Sequence, residues 1–232
     1  MKVVFVGPSL PTARGLAPPG IEVRPPACQG DVMRALQDGA TAIGLIDGQF
    51  ATAAPVWHKE LLFALLKDIS VFGAASMGAL RAAECAAFGM IGIGQIYEDY
   101  ASGARVDDAD VALIYGPAEL GYPPLSIPLV NAEATISNML RHGAVNADEC
   151  ESLRTSAQRL FFKERTWKTM AALSGISFET LDAALKECWV DQKKLDAMAL
   201  LFAIEKKAPG MAPRDWDFNA TPLFRKMYLT SY

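Results

Sequence analysis

Along the N-terminal part of the chain, the apolar positions switch repeatedly between a continuous strand-length pattern and a helical one. "KVVFVG" from Lys2 is a short unbroken apolar run, "IEVRPP" from Ile21 is a strand whose prolines place it at an edge, and "TAIGLIDG" from Thr41 is a second buried strand. Between the last two, "GDVMRALQDG" predicts a helix with Asp31 at its start and Gly39 after its end. "PVWHKELLFALLKD" carries helical spacing with Pro55 in the first turn, "ISVFGA" is another strand, and "SMGALRAAECAAFG" another helix closed by Gly89. Strands and helices alternating in this way predict an α/β fold: a mostly parallel sheet with flanking helices.

After Gly89 the pattern predicts a short helix, an acidic turn and a strand at residues 111–115. From Leu129 the chain turns helical. "NADECESLRTSAQRLFFKERTW" opens with Asn146 and Glu149 in capping-box spacing, and "SFETLDAALKECW" and "DQKKLDAMALLFAIEKK" come after it. The end is rich in proline and aromatics and reads as an arm laid over a surface. The expected organisation is therefore an α/β core over residues 1–128, a helical region over 129–207 and an arm over 208–232.

Composition narrows the class of function. With 232 residues, 51% hydrophobic and 21% charged, the chain can bury a substantial core. A formal net charge of −4 argues against general attraction to nucleic acid or an anionic membrane. The opening apolar segment is broken at once by Gly7 and Pro8, which does not suit a signal peptide, and the reading is cytoplasmic. The four cysteines, Cys28, Cys85, Cys150 and Cys188, are scattered, and only His58 and His142 are available to join them; no metal or cofactor site is visible.

Ser76 is the residue that raises a chemical question. It lies between a strand and a helix, on the turn above the carboxyl edge of the sheet, where open α/β sheets place ligands. Ala74-Ala75-Ser76-Met77-Gly78 matches the nucleophile elbow G-x-S-x-G with alanine in its first position. The Met77 N–H would then face an oxyanion beside the serine, with a second donor from the Gly7–Ser9 loop. The alternative is that the small residues let the helix approach the sheet and that Ser76 caps it.

Two bases are available. Lys59 shares a helical row with Val56, Leu62, Phe63 and Leu66, while Glu60 and Lys67 mark the solvated face. Burial and a helix N-terminus both penalise an ammonium, so an amine on that row suits a proton acceptor; the alternative is a lysine that snorkels to water. His58, oriented by Asp47, offers the rival arrangement Ser76-His58-Asp47. Cys85 is a core residue, and "GMIGIG" contains GxxGxG without a clean strand-turn-helix context, which speaks against nucleotide binding.

These blocks resemble the TfuA-like family: "VFVGPSL", "IGLIDGQF", "VWHKELLFAL", "VFGAASMGALRAAE", "FGMIGIGQIYEDY" and "PLVNAEATI", with "ERTW" and "DQKKLDA" in the helical third. The resemblance implies a fold distinct from standard hydrolases and a partner of YcaO-type enzymes, which replace a peptide carbonyl oxygen by sulfur. It implies hydrolysis of a thiocarboxylated, ThiS-like ubiquitin-like carrier to release sulfide, or docking of carrier and peptide substrate onto YcaO. The family's Ser-Lys pair carries over onto Ser76 and Lys59. Arg81 would offset the thiocarboxylate charge, or else pair with Glu84 on its own helix. Trp57 and Phe50 would line a groove for the carrier's tail, and Lys163, Arg165 and Lys168 around Trp167 form the candidate patch for an acidic partner.

Overall fold

The computed structural model describes residues 1–49, 53–206 and 215–229. Residues 1–105 and 196–232 group into one compact unit and 106–195 into a second. In the first, β1 (Lys2–Phe5), β2 (Ile21–Arg24), β3 (Ala42–Leu45), β4 (Ser70–Ala74) and β5 (Ile91–Ile93) form a sheet in the order β2-β1-β3-β4-β5. Every neighbouring pair is parallel. This is a doubly wound order whose direction reverses between β1 and β3. The α-helices of this unit's N-terminal stretch are α1 (Ala13–Leu16), α2 (Asp31–Gln37), α3 (His58–Leu66), α4 (Met77–Cys85) and α5 (Gln95–Ala101).

The central strands are apolar throughout because both faces are covered, and the period of two divides their residues between two cores. Val3, Phe5, Ile43, Leu45 and Val71 pack against Val32 and Ala35 of α2, Leu61 and Ala64 of α3, and Ala82 and Cys85 of α4. Val4, Ala42, Ile46 and Phe72 point the other way, to Ala13 of α1 and to Ala197, Leu200, Leu201 and Ile204.

The second unit carries α6 (Leu129–Arg141), α7 (Ala147–Arg159), α8 (Trp167–Ser174) and α9 (Phe178–Cys188); α10 (Gln192–Lys206) begins in it. Its core joins Ile136, Met139, Leu153, Met170 and Leu181. The capping box is formed: Asn146 accepts from the Glu149 N–H, and the Glu149 carboxylate accepts from the Asn146 N–H. Arg165 is not part of a basic patch. It is 3% exposed and donates to the carbonyls of Ala157, Ile127 and Leu160, so the surface keeps only Lys163, over the Phe161 and Phe162 rings, and Lys168, over Phe178. No described helix is long and apolar enough to cross a membrane.

Several local expectations are corrected. Residues 111–115 form no strand; Tyr115 makes one isolated bridge to Pro124, since prolines on the facing segment supply no further ladder donors. α3 starts at His58 rather than near Pro55, and the Val56 carbonyl accepts from Arg81 Nε instead. "GMIGIG" does have a strand-turn-helix context, as β5, Gly94 and α5. Within the expected arm, residues 222–228 form α11 (Pro222–Tyr228), started by Thr221 as N-cap with proline in its first turn. Residues 208–214 and 230–232 of the arm lie outside the described residues.

The largest correction concerns the face that α3 buries. Its buried residues are Glu60, Leu61 and Ala64, and Glu60, expected on the solvated face, is 0% exposed. Its carboxyl accepts from the Gly30 N–H at the start of α2 (2.9 and 3.0 Å) and from the Tyr228 hydroxyl (3.3 Å), which is how a buried acid is tolerated. Burial nonetheless pushes its pKa above the ordinary glutamate value.

α4 sits unusually close to the sheet. Gly78 N–H donates to the Ile46 carbonyl at 3.1 Å, and a Cβ on Gly78 would stand 1.7 Å from the Leu45 carbonyl oxygen. Gly78→Ala should therefore cost about 3 kcal/mol or prevent folding, read from the urea midpoint. The buried Glu60 carries a prediction of its own. A carboxyl whose folded pKa is raised contributes stability that is complete below its unfolded pKa and is lost as pH rises through the folded value. The stability of the wild type relative to Glu60→Gln should thus be greatest near pH 4 and decline toward neutrality; a difference that grows with pH in urea titrations would contradict the assignment.

Candidate functional site

The carboxyl ends of β1, β3 and β4 bring three sequence-separated loops to one edge. At the reversal point between β1 and β3, Asp47 organises the first two: Oδ2 accepts from the N–H groups of Gly7 (2.8 Å) and Ser9 (2.9 Å), and Oδ1 from the Ser9 hydroxyl (2.6 Å). Pro8 has no N–H, and the Leu10 N–H returns to the Gly7 carbonyl. The Gly7–Ser9 loop thus lines the edge with its donors already used, and it has no free N–H to offer an oxyanion.

Ser76 is the opposite case. The Ser76 N–H bonds the Ala74 carbonyl at 2.7 Å, closing a γ-turn about Ala75, whose φ is +66°, a left-handed conformation that costs a non-glycine residue of the order of 1–3 kcal/mol. The strain of a strand-to-helix elbow is present, one residue before the serine. Ser76 stands at the N-cap of α4, yet its side chain caps nothing, which removes the capping alternative. It is 8% exposed, and among the described residues neither its hydroxyl nor the neighbouring Met77 N–H has a hydrogen-bond partner. A nearly enclosed, unspent hydroxyl beside an unspent helix N-terminal donor is the chemically available feature of this edge.

The two candidate bases are engaged elsewhere. Lys59 Nζ donates to the backbone carbonyl of Asn219 at 2.6 Å and lies 5.6 Å from the centre of the Phe218 ring. No hydrogen bond joins it to Ser76. His58 Nε2 is 2.7 Å from Glu84 Oε2, the oxygen that also accepts from Arg81 Nη1 at 2.7 Å. Glu84 lies eight residues beyond Ser76, about 12 Å along the helix, so His58 is held well below the serine and does not meet Asp47. Burial works against the Glu84 carboxylate, and the bonds from His58 and Arg81 outweigh it, setting its pKa below the ordinary value.

The remaining candidates are taken up by packing and by ion pairing. Arg81 spends Nε on the Val56 carbonyl and Nη1 on Glu84, as its alternative reading anticipated. Burial pushes the Cys85 thiol up to about 11, which keeps it out of thiolate chemistry. Trp57 packs against Phe224, with ring centres 6.1 Å apart; Phe50 lies outside the described residues. At Gly94 a Cβ would stand 2.3 Å from the Asp196 carboxyl carbon, and Asp196 accepts from the N–H groups of Gln95 (3.2 Å) and Ile96 (2.8 Å). The chain's own carboxylate fills the helix start where a nucleotide phosphate would bind, so "GMIGIG" carries no such site.

Sequence reasoning missed Phe218 and Asn219 at the amine of Lys59. Asn219 is 160 residues away, bonds through its main chain and leaves no trace in periodicity. It missed Glu84 as the group that ties His58 to α4, although "RAAE" places Glu84 three residues after Arg81.

A search of curated proteins finds no match. A comparison with protein families matches residues 47–166, more than half of the 232, to the description "TfuA-like protein", a span that includes Asp47, His58, Lys59, Ser76, Met77 and Arg81. The chain belongs to the TfuA-like family.

Proposed function

We propose that the protein hydrolyses the thiocarboxylated C-terminus of a ThiS-like sulfur carrier, with Ser76 as nucleophile and Lys59 as base, releasing sulfide to a YcaO-type enzyme that thioamidates a peptide. The observation that carries the reading is the unpartnered Ser76 hydroxyl beside the unpartnered Met77 N–H. Membership of the TfuA-like family supports the choice of this reaction class.

The chemistry is set by the groups present. The Lys59 amine takes the proton of Ser76; Oγ bonds to the thiocarboxylate carbon; the carbonyl oxygen gains charge and is held by the Met77 N–H. Collapse breaks the C–S bond, and the proton that Lys59 took from Ser76 passes to the departing sulfur, so hydrosulfide leaves and an acyl ester stays on Ser76. Water adds to that ester with Lys59 taking its proton, the same proton goes to the departing serine oxygen, and the carrier leaves as a carboxylic acid that ionises to the carboxylate. Hydrosulfide is a good leaving group, so the step needs no strong general acid. The proton transfer does require Lys59 to exchange Asn219 for Ser76.

That same contact favours a second reading, in which the protein is an adaptor that docks carrier and peptide onto YcaO and Lys59 serves only to hold the arm. Sulfide release from a thiocarboxylated carrier, measured without and then with YcaO, separates the two. Ser76→Ala should lower release by about 10^3-fold or more and Lys59→Ala by about 10^2-fold to 10^4-fold, with thermal unfolding unchanged. His58→Ala should retain most of the activity. Full activity in Ser76→Ala, or loss in His58→Ala with retention in Lys59→Ala, would remove the Ser-Lys assignment; folded wild type that releases no sulfide under either condition leaves the adaptor.

A further inference from the structure

Residues 215–220 of the arm cross α3 without forming helix or strand. Their exposure alternates: Asp215, Asp217 and Asn219 face solvent while Trp216, Phe218 and Ala220 turn inward. This is the period of an extended chain laid along a surface. Trp216 meets Phe88 edge-on with centroids 5.4 Å apart, Phe218 meets Phe63 at 5.6 Å, and the Asn219 carbonyl takes the Lys59 amine.

The polar part of this recognition uses no side chain of the arm. A carbonyl on Lys59 and apolar groups at alternate positions are features that any extended polypeptide of suitable composition presents. The segment is also held less firmly than α11. Phe224 of α11 is fully buried among Trp57, Phe63 and Tyr228 as well as Phe218, whereas Trp216 and Phe218 are only half-buried. The Asn219 and Ala220 carbonyls also accept from the Thr221 N–H and Arg225 Nε, so the segment lifts about a hinge at residues 219–220 while the remaining contacts of Phe224 hold α11.

We propose that the surface formed by Lys59, Phe63 and Phe88 is a binding surface for an extended polypeptide segment, and that residues 215–220 occupy it as an intramolecular stand-in. The occupant it fits is a flexible protein tail or peptide with apolar side chains at alternate positions and a main-chain carbonyl at Lys59. Binding of such a segment displaces the arm and replaces its carbonyl. The inference rests on the proposed function only for what Lys59 does once the arm has left it.

The test reads the Lys59 amine directly. Full-length wild type and a Trp216→Ala/Phe218→Ala variant are pulsed with acetic anhydride, and acetylation of Lys59 is measured by mass spectrometry against the exposed Lys194. Loosening the arm should raise Lys59 acetylation about tenfold relative to Lys194, because the covering segment acts at millimolar effective concentration only while it stays docked. A capped peptide of sequence DWDFNAT at millimolar concentration should then return it toward the wild-type level. Unchanged acetylation in the variant overturns the covering role, and a rise that the peptide does not reverse overturns the binding surface. Sulfide release from the same samples is a separate readout: its absence in wild type defeats the hydrolase reading and leaves the labelling result to decide this one.

Discussion

The seating of the first turn of α4 on the end of β3 is the contact on which the candidate site depends. With glycine at position 78 the helix backbone rests against the Leu45 and Ile46 carbonyls, closer than any side chain would permit. The chain leaving β4 must therefore reverse within one residue. It does so by driving Ala75 to positive φ, and the turn leaves Ser76 without a side-chain capping bond. Close packing, local strain and an unspent hydroxyl are three aspects of one constraint. The small residues read from the sequence serve both the structural purpose and the chemical one.

Neighbouring loops at the same edge show the contrast between polar groups spent on structure and polar groups left free. The Asp47 carboxylate meets three donors from Gly7 and Ser9 and fixes the loop after β1, and Asp196 fixes the start of α5 in the same manner. Each satisfies backbone N–H groups that would otherwise be costly to bury. Against that background of satisfied donors, the bare pair of Ser76 and Met77 is the exception at this edge.

The sheet was legible because its central strands are covered on both faces, which makes them continuous apolar runs that alternate with amphipathic helices. β5 was not legible, since three residues containing a glycine give too little pattern, and α11 was hidden by the composition of the arm although Thr221-Pro222 is a regular start signal. Glu60 was misplaced because a charged residue at helical spacing ordinarily faces water; its partners, Gly30 and Tyr228, come from other parts of the chain. The candidate site was half legible. Ser76 and Met77 are given by local order, whereas the groups that hold Lys59 and His58 are fixed by tertiary packing that spacing does not encode.

The second face of the sheet is closed by Ala197, Leu200, Leu201 and Ile204, which come after β5 only once the whole of residues 106–195 has intervened. During synthesis, Val4, Ile46 and Phe72 are made early and have only the α1 region over them until α10 emerges. The sheet is therefore completed by long-range closure, which slows folding and leaves an apolar surface exposed to other chains in the interval. A protein built this way depends on the intervening segment collapsing promptly on its own, and that segment has the means: its helices are joined through short connections, and α7, α8 and α9 each begin with a side-chain cap.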